Sequence, residues 1–142
     1  HRMRYVCDAP GGATWFRIET EAEAEAEAAL MRHAVDKHFR RHEGAARESY
    51  RSPTGTPVFE QAIGLKDHIA RSMPLFLALR ADDGEALATA MLPPEGRNQA
   101  NFRIVIVGPE NADPYEAHTS AIAALAHHFG IALEREDCFP YA

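Results

Sequence analysis

The sequence predicts an α+β fold, and three observations carry that prediction. A long run over 20–43 has helical periodicity and a capping signature. Two β-like runs flank an Asp-Asp-Gly turn at 82–84. A strongly apolar strand, FRIVIV, is followed closely by a second capped helix. The expected architecture is an N-terminal ββα unit, a middle helix, and an antiparallel or mixed sheet backed by a C-terminal helix. It is read as a single domain over 3–142, with a candidate subdomain boundary at 51–57. One sheet shared by both halves is the first choice and two subdomains the second.

Taken in order, Met3 to Cys7 reads as a strand and Asp8 to Gly12 as a turn. Ala13 to Glu19 alternates around Trp15 and reads as the second strand of a hairpin. Thr20 then opens the long helix, with Glu23 completing a capping box. Acidic residues from Glu21 to Glu27 crowd its positive end, and Lys37, Arg40 and Arg41 its negative end. No Gly or Pro interrupts it before Gly44, the expected stop. Ala24, Ala28, Met31, Val35, His38 and His42 recur at three- and four-residue steps, so they share a face.

Ala45 to Tyr50 is compatible with further helical turns, and Arg51 to Pro57 is a loop. Val58 to Arg71 reads as a helix weakened by Gly64. Leu75 to Arg80 and Glu85 to Leu92 form a hairpin, and 93–101 is a polar loop. Phe102 to Val107 is apolar on both faces, which predicts a central strand. Asp113 and Pro114 open the last helix as N-cap and N1, with Glu116 at N3. Gly130 closes it, with His128 expected on the core side. Ile131 to Leu133 is read as a short strand, and Glu134 to Ala142 as a tail whose aromatics dock on something.

The chain of 142 residues suffices for one core, and its net charge of −6 disfavours general nucleic-acid or acidic-membrane binding. Cys7 and Cys138 form no disulfide framework and no zinc-ribbon spacing. No apolar run is long enough to span a bilayer, and none has the form of a signal peptide. Reduced thiols in a cytoplasmic protein are the simplest expectation.

The residues Cys7, Gly12, Thr20, Glu21, Glu23, His33, Ala34 and His38 resemble the pattern of a small bacterial family of unknown function. That resemblance covers the N-terminal third, departs at Phe39 where the family pattern has Gly, and implies a fold unit with no activity. The segment IVIVGPENADPYEAHTSAIAALAHHF is similar to the late strand and helix of the sugar-phosphotransferase type-2 phosphocarrier domain. That family's phosphorylated histidine has no counterpart here, because Lys66-Asp67-His68 lacks its motif. The resemblance therefore implies a strand–helix unit and no phosphorylation.

Three site readings follow from the residues. His38 and His42 are four apart, so one helix face can present both imidazoles to a divalent metal such as Zn, with Cys7 as a third ligand. The competing reading is a pair of histidines at the edge of the apolar stripe, hydrogen-bonded within the fold. Gly108, after the best strand, and His118, in the first turn of the last helix, suggest a strand-to-helix ligand loop. A surface histidine explains His118 equally well. Ser49, Ser52, Thr54 and Thr56 offer hydroxyls, with His68 or His42 as base, but catalysis also needs an oxyanion hole that no motif supplies.

The functional expectation is a non-catalytic binding or oligomerisation module. The alternative is a small-molecule- or metal-dependent enzyme with a pocket beside the His33, His38 and His42 helix, facing the strand that ends at Val107. No motif settles whether the chain is an enzyme, and the catalytic residues are unassigned. A homodimer is expected, with its contact on Trp15, Phe16, Met31, Val35 and Phe39.

Overall fold

The computed structural model describes residues 2–96 and 102–141. Its centre is a five-stranded sheet in the order β1-β2-β3-β4-β5. The strands are β1 (Arg4–Asp8), β2 (Thr14–Ile18), β3 (Leu75–Arg80), β4 (Ala86–Leu92) and β5 (Val105–Val107). Every neighbouring pair is antiparallel. The helices are α1 (Glu21–Met31), α2 (Val35–Ser49), α3 (Val58–Ser72) and α4 (Tyr115–Phe129). The fold is thus α+β, and β2 pairing with β3 joins both halves in one sheet.

Alternation along the strands divides the core into two layers. Trp15, Leu75, Leu77, Leu79, Ala88, Ala90, Leu92 and Ile106 point to one face, where Ala121, Ile122 and Leu125 of α4 cover them. Ile18, Phe76 and Ala78 point to the other, against Ala24 of α1 and Val35, Phe39 and Ala46 of α2. Leu75 to Leu79 are all buried because β3, in the middle of the sheet, is covered on both faces.

The long helix is two helices. The capping box at Thr20 and Glu23 is present, with Glu23 N–H donating to Thr20 Oγ1 and Thr20 N–H to Glu23 Oε1, both at 3.1 Å. However, Arg32 turns left-handed (φ 55, ψ 53) and ends α1. A non-glycine residue costs roughly 1–2 kcal/mol there, and tertiary contacts hold it. Met31 beside it is fully buried. His33 N–H bonds back to Ala28 O at 3.2 Å, and the His33 side chain is anchored on β4. Gly44, the expected stop, lies inside α2, which continues to Ser49.

The strand over 102–107 also differs from expectation. Only Val105–Val107 is paired, and it closes the ladder beside β4 instead of lying centrally. Its outer edge receives the tail: Phe139 N–H donates to Ile104 O at 2.8 Å, and Val105 forms a parallel bridge with Phe139. No strand forms over 131–133. The tail docks within its own chain, with Tyr141 edge-on to Tyr115 and Cys138 fully buried.

Asp113 caps as expected, its Oδ1 taking Tyr115 N–H at 3.0 Å. His128 is exposed, not in the core. The loop expected over 93–101 is described to Gly96, and its remainder lies outside the described residues. Gly64 has a packing reason that its helix context hides. A Cβ there would meet the Tyr50 hydroxyl at 2.1 Å, so the glycine admits Tyr50 against α3.

The face expected to carry a homodimer contact is mostly used within the chain, with Phe16 left half-buried. Trp15, Met31, Val35 and Phe39 are buried inside the chain, and the Trp15 indole N–H donates to Ala121 O at 2.8 Å. No helix among the described residues is long and apolar enough to cross a membrane.

Candidate functional site

A cavity of about 530 Å³ opens between the start of α2 and the strands β3 to β5. Its floor is the α2-side face of the sheet: Phe76, Thr89, Met91, Val105 and Val107. The register explains the grouping, since Thr89 lies opposite Val107 and Met91 opposite Val105. Its wall is His33, in the turn between α1 and α2, with His38, Arg41 and His42 of α2. Phe102, Arg103, Phe139 and Pro140 close the far rim. The two apolar faces of 102–107 therefore have different partners. Ile106 packs under α4, while Val105 and Val107 line the cavity.

His33 is held at both ring nitrogens. Glu27 on α1 is fully buried and accepts from both Arg80 Nη2 and the Thr89 hydroxyl. Because Thr89 donates to Glu27, its oxygen accepts from His33 Nε2 at 2.9 Å. The other nitrogen, Nδ1, then takes Val35 N–H at 3.4 Å, in the first turn of α2. Ala34, the N-cap residue, contributes no side-chain bond, so this imidazole supplies the local cap. Burial lowers the His33 pKa, with the Glu27 charge opposing that shift. The ring is neutral near pH 7, with its proton on Nε2.

His38 and His42 follow one and two turns later on the same wall. Burial lowers both their pKa values, and the Arg41 charge adds to the effect. The Arg41 guanidinium lies 3.4 Å from His42 Nε2, and the His42 ring is tilted against Phe76 at 6.2 Å. Arg103 stacks over the Phe139 ring at 4.4 Å.

The structure sorts the other site residues predicted from sequence. Cys7 does not reach the histidines. It lies opposite Trp15 and packs on the α4 side of the sheet, with its thiol pKa raised by burial. Among the described residues, no group of three His, Cys, Asp or Glu side chains is arranged to hold a metal ion. His118 belongs to α4, across the sheet from the cavity. Gly108 makes a turn, its N–H donating to Ala112 O at 2.7 Å. Neither residue lines the cavity.

Ser49 and His68 do meet, with Oγ to Nε2 at 2.7 Å. Ser49 also donates to Ala46 O at 2.9 Å, and among the described residues no carboxylate orients His68. Glu27 and Thr89 were missed by sequence reasoning. The available signal was position: Glu27 falls three residues after Ala24 and four before Met31, in phase with the buried stripe.

Comparison with family models, with curated proteins and with solved structures found no match to this chain.

Proposed function

We propose that this chain is a binding domain for a small molecule, held in the cavity between α2 and β3–β5 without covalent chemistry. The observation that carries the proposal is the cavity itself. It joins a concave apolar floor to a few convergent polar groups, the usual make-up of a ligand site. Its described lining also contains no carboxylate, thiol or serine. Its one hydroxyl, Thr89, is committed to Glu27, and His33 has no free nitrogen. These features support binding over nucleophilic catalysis. The test is a small-molecule thermal-shift screen on the wild type and on Val107→Trp, whose indole would occupy the floor. Ligands that raise the melting temperature of the wild type alone support the proposal. Identical responses from both proteins refute it.

A second reading has one observation in its favour: His38 and His42 line the same cavity as neutral imidazoles, the form a metal requires. Two such ligands leave the remaining positions of a tetrahedral ion to solvent or to a bound molecule. Elemental analysis of untagged protein decides it. Near-stoichiometric Zn, lost in His38→Ala, supports a metal site; folded protein that takes up no metal excludes it.

A further inference from the structure

We propose that the ligand is an amphipathic anion, with its acidic head at Arg41 and Arg103 and its apolar body on the floor of the cavity. This inference rests on the cavity being a binding site, as argued above. It adds the chemistry of what is bound.

The chain carries more acidic than basic residues, 21 against 15. Arg4, Arg32, Arg40, Arg80 and Arg135 each have a carboxylate partner, whereas Arg17, Arg47, Arg51 and Arg71 form no ion pair among the described residues. Arg41 and Arg103 also form no ion pair among the described residues. Both line the cavity. Their site sets them apart: the clefts that hold Arg17, Arg47 and Arg71 also contain Glu19, Glu43 or Glu95, whereas the described lining of this cavity has no carboxylate, so a negative group from outside fits here.

The nearby carboxylates are already occupied. Asp36, in the first turn of α2, is 3.1 Å from Arg40. Glu110, next to the lining residue Asn111, is 2.9 Å from Arg32. Glu27, behind Thr89, is paired with Arg80. None remains to neutralise Arg41 or Arg103. Each of those two side chains is also placed by a ring, Arg41 beside the His42 imidazole and Arg103 over Phe139. A guanidinium held in place loses less freedom when it grips a carboxylate or phosphate.

The rest of the surface gives the ligand its second property. Phe76, Met91, Phe102, Val105 and Val107 are carbon surfaces that offer nothing to a fully hydrated ion. Burying apolar atoms against it is favourable in proportion to the area taken from water. An inorganic ion would use the arginines and leave this floor wet. A neutral hydrocarbon would use the floor and gain nothing from the arginines. A molecule with an apolar chain or ring and one acidic head uses both.

Calorimetry with four octyl probes on the full chain tests this: octanoate, octyl phosphate, 1-octanol and octylammonium. The expected result is that at least one anion binds ~10-fold or more tightly than octanol, about one charge-assisted hydrogen bond. Octylammonium binds more weakly than octanol. In Arg41→Gln and Arg103→Gln the anion loses that advantage while octanol affinity stays unchanged. Which anion leads identifies the head as carboxylate or phosphate, and either supports the proposal. If octanol equals both anions, or if the arginine variants leave anion binding intact, the anionic ligand is refuted while the cavity still stands as a binding site. If no probe binds and Val107→Trp changes nothing in the wider screen, the binding-site reading itself fails. Both arginine side chains are solvent-accessible, so the variants are expected to fold, and circular dichroism checks that they do.

Discussion

The two faces of the sheet are built on opposite terms. Under α4, Leu77, Leu79 and Ala88 meet Ile122 and Leu125 with no solvent access. The polar groups that enter that layer are bonded within it: the Trp15 N–H donates to Ala121 O, and the Tyr115 hydroxyl donates to Leu133 O and lies 3.0 Å from Cys138 Sγ. Under α1 and α2, the layer holds a buried Glu27, a buried Thr89 and a half-buried His33, and it opens at the β5 edge into the cavity. A small domain has little apolar surface to spare. One face is therefore closed for stability, and the other carries polar groups whose placement costs stability and is better explained by a site. The difference separates residues that hold the fold from residues that shape the cavity.

The largest expected effect is on the closed face. Trp15→Ala removes the biggest fully buried side chain and leaves Ala121 O without its donor. Such truncations cost about 3–5 kcal/mol, which urea denaturation would show as a large fall in midpoint with binding unaltered in whatever remains folded. A cost below ~1 kcal/mol would mean that the α4 face is not the stabilising one.

Glu27→Gln tests the other face. It keeps the shape of the side chain but removes the charge facing Arg80, whose side chain is only 12% exposed. Breaking a buried pair from one side is strongly destabilising, by about 3–5 kcal/mol for full removal of a partner, and the amide retains part of that. We expect ~2 kcal/mol by this reasoning, together with a disturbed cavity wall, because Glu27 holds Thr89 and Thr89 holds His33. The wall change should appear as shifted resonances of His33 and His38. Lost stability with unmoved histidine signals would disconnect the buried pair from the cavity.

These residues also show how far the sequence was legible. The capping box, the 82–84 hairpin, the middle helix and the Asp113 cap were readable because each depends on residues a few positions apart. The break at Arg32 was not, because no Gly or Pro marks it. It is stabilised by contacts to Glu110 and Thr89, far along the chain. The apolar double face of 102–107 was read correctly as a pattern and wrongly as a central strand. Hydrophobicity does not tell a residue covered by a helix from one lining a cavity. The histidine wall was visible as spacing, and Arg41 as part of a basic cluster of Arg32, Lys37, Arg40, Arg41, Arg47 and Arg51 that left a local anion patch open, but Arg103 was not. Arg41 and Arg103, 62 positions apart, come to one cavity only when α2 and the segment before β5 are placed in space.

A smaller effect, in pH dependence, should also belong to the cavity face. His33, His38 and His42 all have pKa values lowered below their ordinary 6.5, chiefly by burial. The unfolded chain therefore binds more protons than the folded one below about pH 6.5. Stability is fully present above that value and falls as pH drops from it toward the folded pKa values. Each histidine contributes a slope of at most ~1.4 kcal/mol per pH unit. For His33 the structural cost is specific: protonation of Nδ1 removes the acceptor for Val35 N–H. His33→Gln should flatten part of the slope between pH 6.5 and 5, measured by urea denaturation at several pH values. An unchanged slope would assign the dependence to His38 and His42 alone.

The finest contrast comes from enlarging one side chain on each face, by two carbons at Ala88 and by one methylene at Val107. Ala88 is fully buried on β4 toward α4, where Leu79 and its neighbours leave no room. Ala88→Val should cost about 1–3 kcal/mol, the usual penalty for overpacking. Val107 ends the paired part of β5, buried at its base and lining the cavity, so Val107→Ile extends toward the cavity. There the added carbon meets the floor on one side and water on the other. Its burial gain is a fraction of the ~0.8 kcal/mol for a fully buried methylene, and the stability change should stay within about 0.5 kcal/mol. Yet the same methylene takes volume from the ligand. Val107→Ile should therefore weaken the best octyl anion while leaving the urea midpoint in place, and Ala88→Val should do the reverse. Equal stability costs at the two positions would mean that the cavity closes up in solution, and the contrast between the faces would then be lost.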